Sequence, residues 1–338
     1  MTDADISDIK SLLRSPKNIV IVPHKNPDGD AIGSTLGLCH YLKSYSHNAV
    51  IIAPNDYPEF LKWMPGESSI LKFESHQADS ESLIENADLI FTLDFNALHR
   101  IGDMEIPVKK ASALKIMIDH HQQPDDYAKY IYSDAGMSST CEMIYNFIEM
   151  LGDTDKIDAD IATCLYVGLM ADTGSFRFPA TTSRTHQVIS QLIDKGAKNS
   201  EIHNNVYDTN SYNRLQLLGR AMQNLNVIPE LQTAYISLSQ EELDTFNFKK
   251  GDTEGFVNYA LSLKGIILAA IFIESKQDGI IKISLRSKGE FSVNEFSRAH
   301  FNGGGHTNAA GGRSDASLEE TIEKFITILP TYKSDLAL

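Results

Sequence analysis

Four stretches of the 338-residue chain place imidazole and carboxylate groups directly after apolar runs. The run 19–22 leads into Pro23-His24-Lys25-Asn26-Pro27-Asp28-Gly29-Asp30; the run 89–93 delivers Asp94; the run 114–118 delivers Asp119-His120-His121; and a helical pattern over 159–170 ends at Asp172-Thr173-Gly174. Carboxyl ends of parallel strands form the ligand crevice of an open sheet, so these groups would hang over one rim. Carboxylates favour Mg²⁺ or Mn²⁺, and histidine tilts the balance away from Mg²⁺, so the donor set suits Mn²⁺. Each motif also has an ordinary reading. Asp28-Gly29-Asp30 could be a turn with a helix N-cap, Asp94 a lone acid after a strand, and Asp172 a turn cap. Asp172 nevertheless opposes the dipole of the helix it ends unless a cation compensates. Together, His24, Asp28, Asp30, Asp94, His120 and Asp172 offer six ligands, and four carboxylates so crowded would repel one another without cations. Two divalent ions ~3.5–4 Å apart match a hydrolase in which a bridging water is deprotonated and attacks phosphorus in line. The expected reaction is phosphoester hydrolysis.

The elements that must hold these groups are legible in the apolar periodicity. Short β-rich runs at 19–22, 49–53, 89–93 and 114–118 alternate with helix-period segments, including Ile32, Leu36, Cys39 and Leu42, and then Met143 through Leu151. This predicts an α/β fold with an N-terminal doubly wound parallel sheet over 1–185. Residues 186–228 show helical periodicity without a β-run and read as a helical connection. From 229 onward, strands at 233–238, 266–273 and 280–285, a helix-like piece near 254–263, an Asp278-Gly279 turn and a terminal helix at 318–329 predict a smaller C-terminal α+β domain over 229–338.

Composition narrows the partners. The chain has 45 acidic and 30 basic residues, a formal charge of −15, which disfavours long backbone-tracking contacts with duplex nucleic acid or an anionic membrane. No apolar run reaches ~18 residues, and the acidic start is unlike a secretory signal, so a cytoplasmic protein is expected. Cys39, Cys141 and Cys164 are too scattered for a disulfide framework or thiolate-bound zinc.

The ordered set His24-x-x-Pro27-Asp28-Gly29-Asp30, Asp94, Asp119-His120-His121 and Asp172-Thr173-Gly174 resembles the DHH phosphoesterase superfamily. Gly303-Gly304-Gly305-His306-Thr307-Asn308-Ala309-Ala310-Gly311 is similar to the motif of the first type of DHH-associated domain. The resemblance spans nearly the whole chain. It implies that His24 and Asp28 hold one Mn²⁺, that Asp30, His120 and Asp172 hold another, and that Asp94 bridges them. By the same resemblance Asp119 orients a ring, and His121 faces the scissile phosphate or the leaving oxygen. Gly303, Gly304, Gly305 and His306 would bring backbone and side-chain donors to a phosphate. Arg286 would clamp a substrate phosphate, with Arg177 and Arg298 as weaker candidates for that task. Metals on one domain and a clamp on the other would suit a short substrate.

With no stretch evident for a further oligonucleotide-binding domain or for membrane helices, the resemblance narrows to the stand-alone bifunctional type. That type is an oligoribonuclease for very short RNA that also removes the 3′-phosphate of 3′-phosphoadenosine 5′-phosphate, and it is expected to be a homodimer. A soluble cyclic di-AMP phosphodiesterase is the alternative, followed by an exopolyphosphatase and a family II pyrophosphatase, the last with a different second domain. A metal-free nucleotide-binding regulator on the same scaffold is the reading from outside enzymology. Because a bridging carboxylate serves both ions, Asp94→Ala is expected to abolish hydrolysis in a Mn²⁺ assay; near-normal turnover would remove the two-metal assignment.

Overall fold

The structure is a computed structural model, and it describes residues 1–336. The chain divides into two compact units, Met1–Thr209 and Asn210–Leu338. In the first, β1 (Asn18–Pro23), β2 (Asn48–Ala53), β3 (Leu71–Lys72), β4 (Leu89–Leu93), β5 (Leu114–Asp119) and β6 (Tyr130–Ser133) form one sheet in the order β3-β2-β1-β4-β5-β6. Every neighbouring pair is parallel. Ile19, Ile21, Phe91, Ile116 and Ile118 face one core, whereas Val20, Val22 and Ile90 face another. Burial on both faces is why the four predicted strands read as unbroken apolar runs. The two edge strands lacked that signal: β3 has two residues, and most of β6 is only half-buried. Strand order reverses between β1 and β4, and a parallel α/β sheet opens its crevice at such a switch point.

Two helices on the larger core approach unusually closely. Gly29, Gly33 and Gly37 recur every four residues along the helix Gly29–Ser44, so they share one face. A Cβ on Gly33 would lie 2.5 Å from the carbonyl oxygen of Cys164, and one on Gly37 would lie 2.7 Å from Leu165 Cδ2. From the opposite helix, Ala159–Asp172, a Cβ on Gly168 would come within 2.7 Å of Asp30 Oδ1. This contact sets the last turn of Ala159–Asp172 against the first turn of Gly29–Ser44.

The helical segment after 185 does not form a separate connection. Helices Ser183–Asp194 and Asn199–Tyr207 bury Val188, Leu192 and Ile202 in the core of the first unit. Helix Tyr212–Gln223 instead buries Leu217 and Ala221 in the second. The expected limits at 185 and 229 therefore give way to a single division between Thr209 and Asn210, because each helix follows its own apolar stripe.

The second unit contains β7 (Asn226–Ile228), β8 (Thr233–Leu238), β9 (Leu268–Ser275), β10 (Ile280–Ser287), β11 (Gly304–His306) and β12 (Ala309–Ser314), ordered β11-β12-β10-β9-β8-β7. The predicted hairpin is β9–β10, with Gly279 at φ +66° in its turn. All pairs are antiparallel except β8–β9, whose connection includes the helix Phe256–Leu261. Among the described residues, no helix is long and apolar enough to cross a membrane.

Gly33→Ala is expected to lower stability by about 1–3 kcal/mol, the usual cost of overpacking a tight contact. Urea denaturation should show an earlier midpoint with an unchanged slope; an unchanged midpoint would mean that the helix contact has slack.

Candidate metal centre

His24 follows the last residue of β1, and its ring nitrogen Nδ1 donates to the Lys25 carbonyl at 2.9 Å. That bond directs Nε2 toward Asp94 Oδ2 at 3.4 Å and Asp28 Oδ2 at 3.8 Å. Asp28 realises both of its sequence readings. Its Oδ1 caps the helix Gly29–Ser44 by accepting from the backbone of Asp30 and Ala31, at 3.0 and 3.1 Å, while Oδ2 faces His24.

Asp30 is fully buried in the first turn of the same helix. Its oxygens accept from the backbone N–H groups of Thr140 and Cys141, at 2.6 and 2.9 Å, at the start of the helix Thr140–Met150. His120 donates from Nδ1 to the Met137 carbonyl at 3.2 Å and turns Nε2 toward Asp172 (3.2 Å), Asp94 (3.5 Å) and Asp30 (3.7 Å). Both histidines thus have their orientation set by a backbone carbonyl, as metal-ligating imidazoles usually do.

Asp94, directly after β4, adopts φ +66°, a conformation that Asp tolerates better than most residues. One of its oxygens lies toward His24 and the other toward His120. Ligand atoms of His24, Asp28 and Asp94 all lie within 4.8 Å of one another, as do those of Asp30, His120 and Asp172, and those of Asp94, Asp119 and His121. In the last group, Asp119 accepts from His121 Nδ1 at 2.6 Å and from the His121 backbone N–H at 3.1 Å.

The turn after Asp172 is strained. Gly174, Ser175 and Phe176 all have positive φ, between 56° and 65°. It is held by Ser175 N–H donating to Met170 and by Phe176 N–H donating to Thr173 Oγ1. Backbone strain of this kind clusters at functional sites. Arg177 in this turn is exposed and donates from Nε to the Gly174 carbonyl at 2.7 Å.

Electrostatics reflect the crowding. Burial, and then the charges of Asp94 and Asp172, push the Asp30 carboxyl well above the usual range. Burial and the same neighbouring charges raise Asp28, with His24 opposing them. Burial would raise Asp94 too, but hydrogen bonds from His120 and His24 outweigh it and hold Asp94 well below the usual range. Both imidazoles are pulled down by burial yet end up raised, His24 mainly by Asp94 and Asp28, and His120 mainly by Asp172 and Asp94. Two imidazoles among four acids fit hard or borderline divalent cations, which would replace those shared protons.

In the second unit, Arg286 on β10 and His306 on β11 are both opposite Ala309 of β12. Directly opposed residues share a sheet face, so the backbones of these two residues stand about 10 Å apart, two strand spacings, with Ala309 between them. The glycine segment, expected to bring donors to a phosphate, is largely the β11–β12 hairpin. A Cβ on Gly303 or Gly312 would collide with Ser297 of the helix Val293–His300, so these glycines admit close helix packing. Gly304 pairs with Gly311 in the ladder, and Gly305 donates its N–H to Asn294 Oδ1, which also accepts from Arg298 Nε. Thr140 was missed in the sequence reading: its Oγ1 lies 2.9 Å from Asp94 Oδ1. The only hint was the hydroxyl run Ser138-Ser139-Thr140 before a helix.

The pattern of the DHH family, N-terminal domain, matches residues 18–169, and that of the DHHA1 domain matches 232–332. The bifunctional oligoribonuclease and PAP phosphatase NrnA of Bacillus subtilis is 31% identical over 298 residues, which is 87% of this chain and 88% of that protein. The chain belongs to the DHH family. A second NrnA, from Thermus thermophilus, is also 31% identical, over 87% of this chain and 83% of its own length. The crystal structure of an exopolyphosphatase-related protein from Bacteroides fragilis superposes with a TM-score of 0.94 at 41% identity, covering 99% of this chain and 98% of that one. DHH phosphoesterases are metal-dependent, and the acid and imidazole clusters of this chain are candidate cation sites.

Cation loading of this DHH protein is expected to release protons near neutral pH. His24 and His120 hold protons above the ordinary imidazole range in the metal-free state and must give them up to become ligands. Apparent affinity should therefore fall as pH falls. Calorimetric titration in buffers of different ionisation enthalpy measures the released protons; a buffer-independent heat would contradict the assignment.

Proposed function

We propose that the chain is a Mn²⁺-dependent hydrolase of very short oligoribonucleotides that also removes the 3′-phosphate of 3′-phosphoadenosine 5′-phosphate. The observation that carries the reading is the pair of three-residue clusters joined by one carboxylate: His24, Asp28 and Asp94 on one side, and Asp30, His120 and Asp172 on the other, with Asp94 offering an oxygen to each. Similarity to two NrnA proteins over most of their length supports the substrate class.

His24 and Asp28 would hold one cation, Asp30, His120 and Asp172 the second, and Asp94 both. When bound, the two cations would polarise the phosphoryl group and acidify a water for in-line attack. Around that chemistry the chain supplies orientation. Asp119, bonded to Nδ1 of His121, orients the ring. So oriented, His121 would face the scissile phosphate or the leaving oxygen. Arg286 and His306 would bind the substrate's phosphate oxygens, and a guanidinium fork suits that task. Backbone groups of Gly303 and Gly304 and the exposed Arg177 complete the candidate phosphate contacts, whereas the Gly305 N–H, expected among them, is taken by Asn294.

Parallel Mn²⁺ assays on 5′-labelled RNA dimers to pentamers, 3′-phosphoadenosine 5′-phosphate, cyclic di-AMP, polyphosphate and pyrophosphate decide the reading. The highest kcat/KM is expected for the short RNAs and the bisphosphate; cyclic di-AMP or polyphosphate at the head of that order would overturn it. Arg286→Ala should raise KM for phosphorylated dinucleotides by about 10–100-fold, the equivalent of one charge-assisted hydrogen bond. Bis-p-nitrophenyl phosphate, which lacks a second phosphate, should be little affected; equal losses on both would remove Arg286 from the clamp.

A further inference from the structure

One residue touches both the shared acid and an acid of a single cluster. The backbone N–H of Thr140 donates to Asp30 Oδ2 at 2.6 Å, and its hydroxyl lies 2.9 Å from Asp94 Oδ1. Thr140, Asp30 and Asp94 are all buried, so these bonds are not exchanged for water. Thr140 opens the helix Thr140–Met150, whose N-terminal N–H groups already bind Asp30 through Thr140 and Cys141.

We propose that Thr140 is the positioning residue that makes Asp94 a bridge. An ionised carboxylate only accepts hydrogen bonds, so the Thr140 hydroxyl must donate to Oδ1. The torsion that rotates a carboxylate about its Cβ–Cγ bond is soft, and without a fixed donor both oxygens could turn toward one cluster. The Thr140 hydroxyl occupies one acceptor direction of Oδ1. That leaves Oδ1 turned toward His120 at 3.5 Å and Oδ2 toward His24 at 3.4 Å. Because the same residue binds Asp30 through its backbone, the orientation of the bridge is tied to the cluster of Asp30, His120 and Asp172. The helix N-terminus contributes favourable charge for Asp30, while the hydroxyl sets direction for Asp94.

The proposal rests on the two-cation reading, and its test reads cation binding without substrate. Mn²⁺ is titrated into wild type, Thr140→Ser, Thr140→Ala and Thr140→Val, with calorimetry for affinity and electron paramagnetic resonance for coupling between neighbouring ions. Wild type and Thr140→Ser should bind two Mn²⁺ with an exchange-coupled spectrum. Thr140→Ala, which differs from the serine variant only by the hydroxyl, and Thr140→Val, which keeps the side-chain shape, should lose about 10–100-fold in affinity, as outer partners of metal ligands do. Both should also lose the coupled signal. Unchanged affinity and coupling in Thr140→Ala beside a coupled wild type would overturn the role of Thr140 alone. A wild type that binds no coupled pair would overturn the two-cation reading itself.

Discussion

Mutual repulsion among four acids at one rim of the sheet is the constraint on which the rest of the first unit depends. Asp30 and Asp94 are almost wholly removed from water, and Asp28 and Asp172 are close enough to add to the charge they feel. Burial in low dielectric makes like charges costlier, so the fold must supply compensation. It does so unevenly. Asp28 and Asp30 receive backbone N–H groups from two different helix starts, and Asp94 receives two imidazoles. Asp172, at the end of its helix, has only His120 within ion-pair distance among the described residues. The residual imbalance favours positive charge at this rim.

Convergence of these groups depends on backbone proximity more than on side-chain length. Three of the proposed ligand segments come from strand ends: those after β1 and β4 flank the switch point, where the strand order leaves a gap between crossover connections, and that after β5 lies beside them. Asp172 comes from elsewhere, and reaches His120 because glycines at 33, 37 and 168 let two helices meet almost backbone to backbone. The strained turn through Gly174, Ser175 and Phe176 follows immediately after Asp172. In the second unit, small residues serve a related purpose. Ala309 separates Arg286 from His306, and Gly303 and Gly312 seat the helix Val293–His300 against β11 and β12.

Much of this was legible in the residues. The four central strands, the β9–β10 hairpin and all six proposed ligands follow from apolar runs punctuated by acids and histidines. Edge strands β3 and β6 were not, since strands of two and four residues are too short to carry a periodic signal. The glycine segment carries no strand signal because glycine depresses strand propensity; its pairing as β11–β12 comes from neighbouring strands. The division of the helices after 185 depended on which core each apolar stripe meets, which periodicity alone does not specify.

By itself, the sequence determined the donor chemistry: which acids and imidazoles exist, that they follow strands or end a helix, and that their ordered motifs resemble the DHH family. Only the tertiary structure decided which of them meet. Asp94 lies between two clusters because β4 sits between β1 and β5, and Thr140 reaches it from 46 residues away because the helix Thr140–Met150 begins against Asp30. The physical reason is that ligand type is a property of single residues, whereas the direction of a carboxylate's lone pairs is set by donors that the fold brings from distant positions.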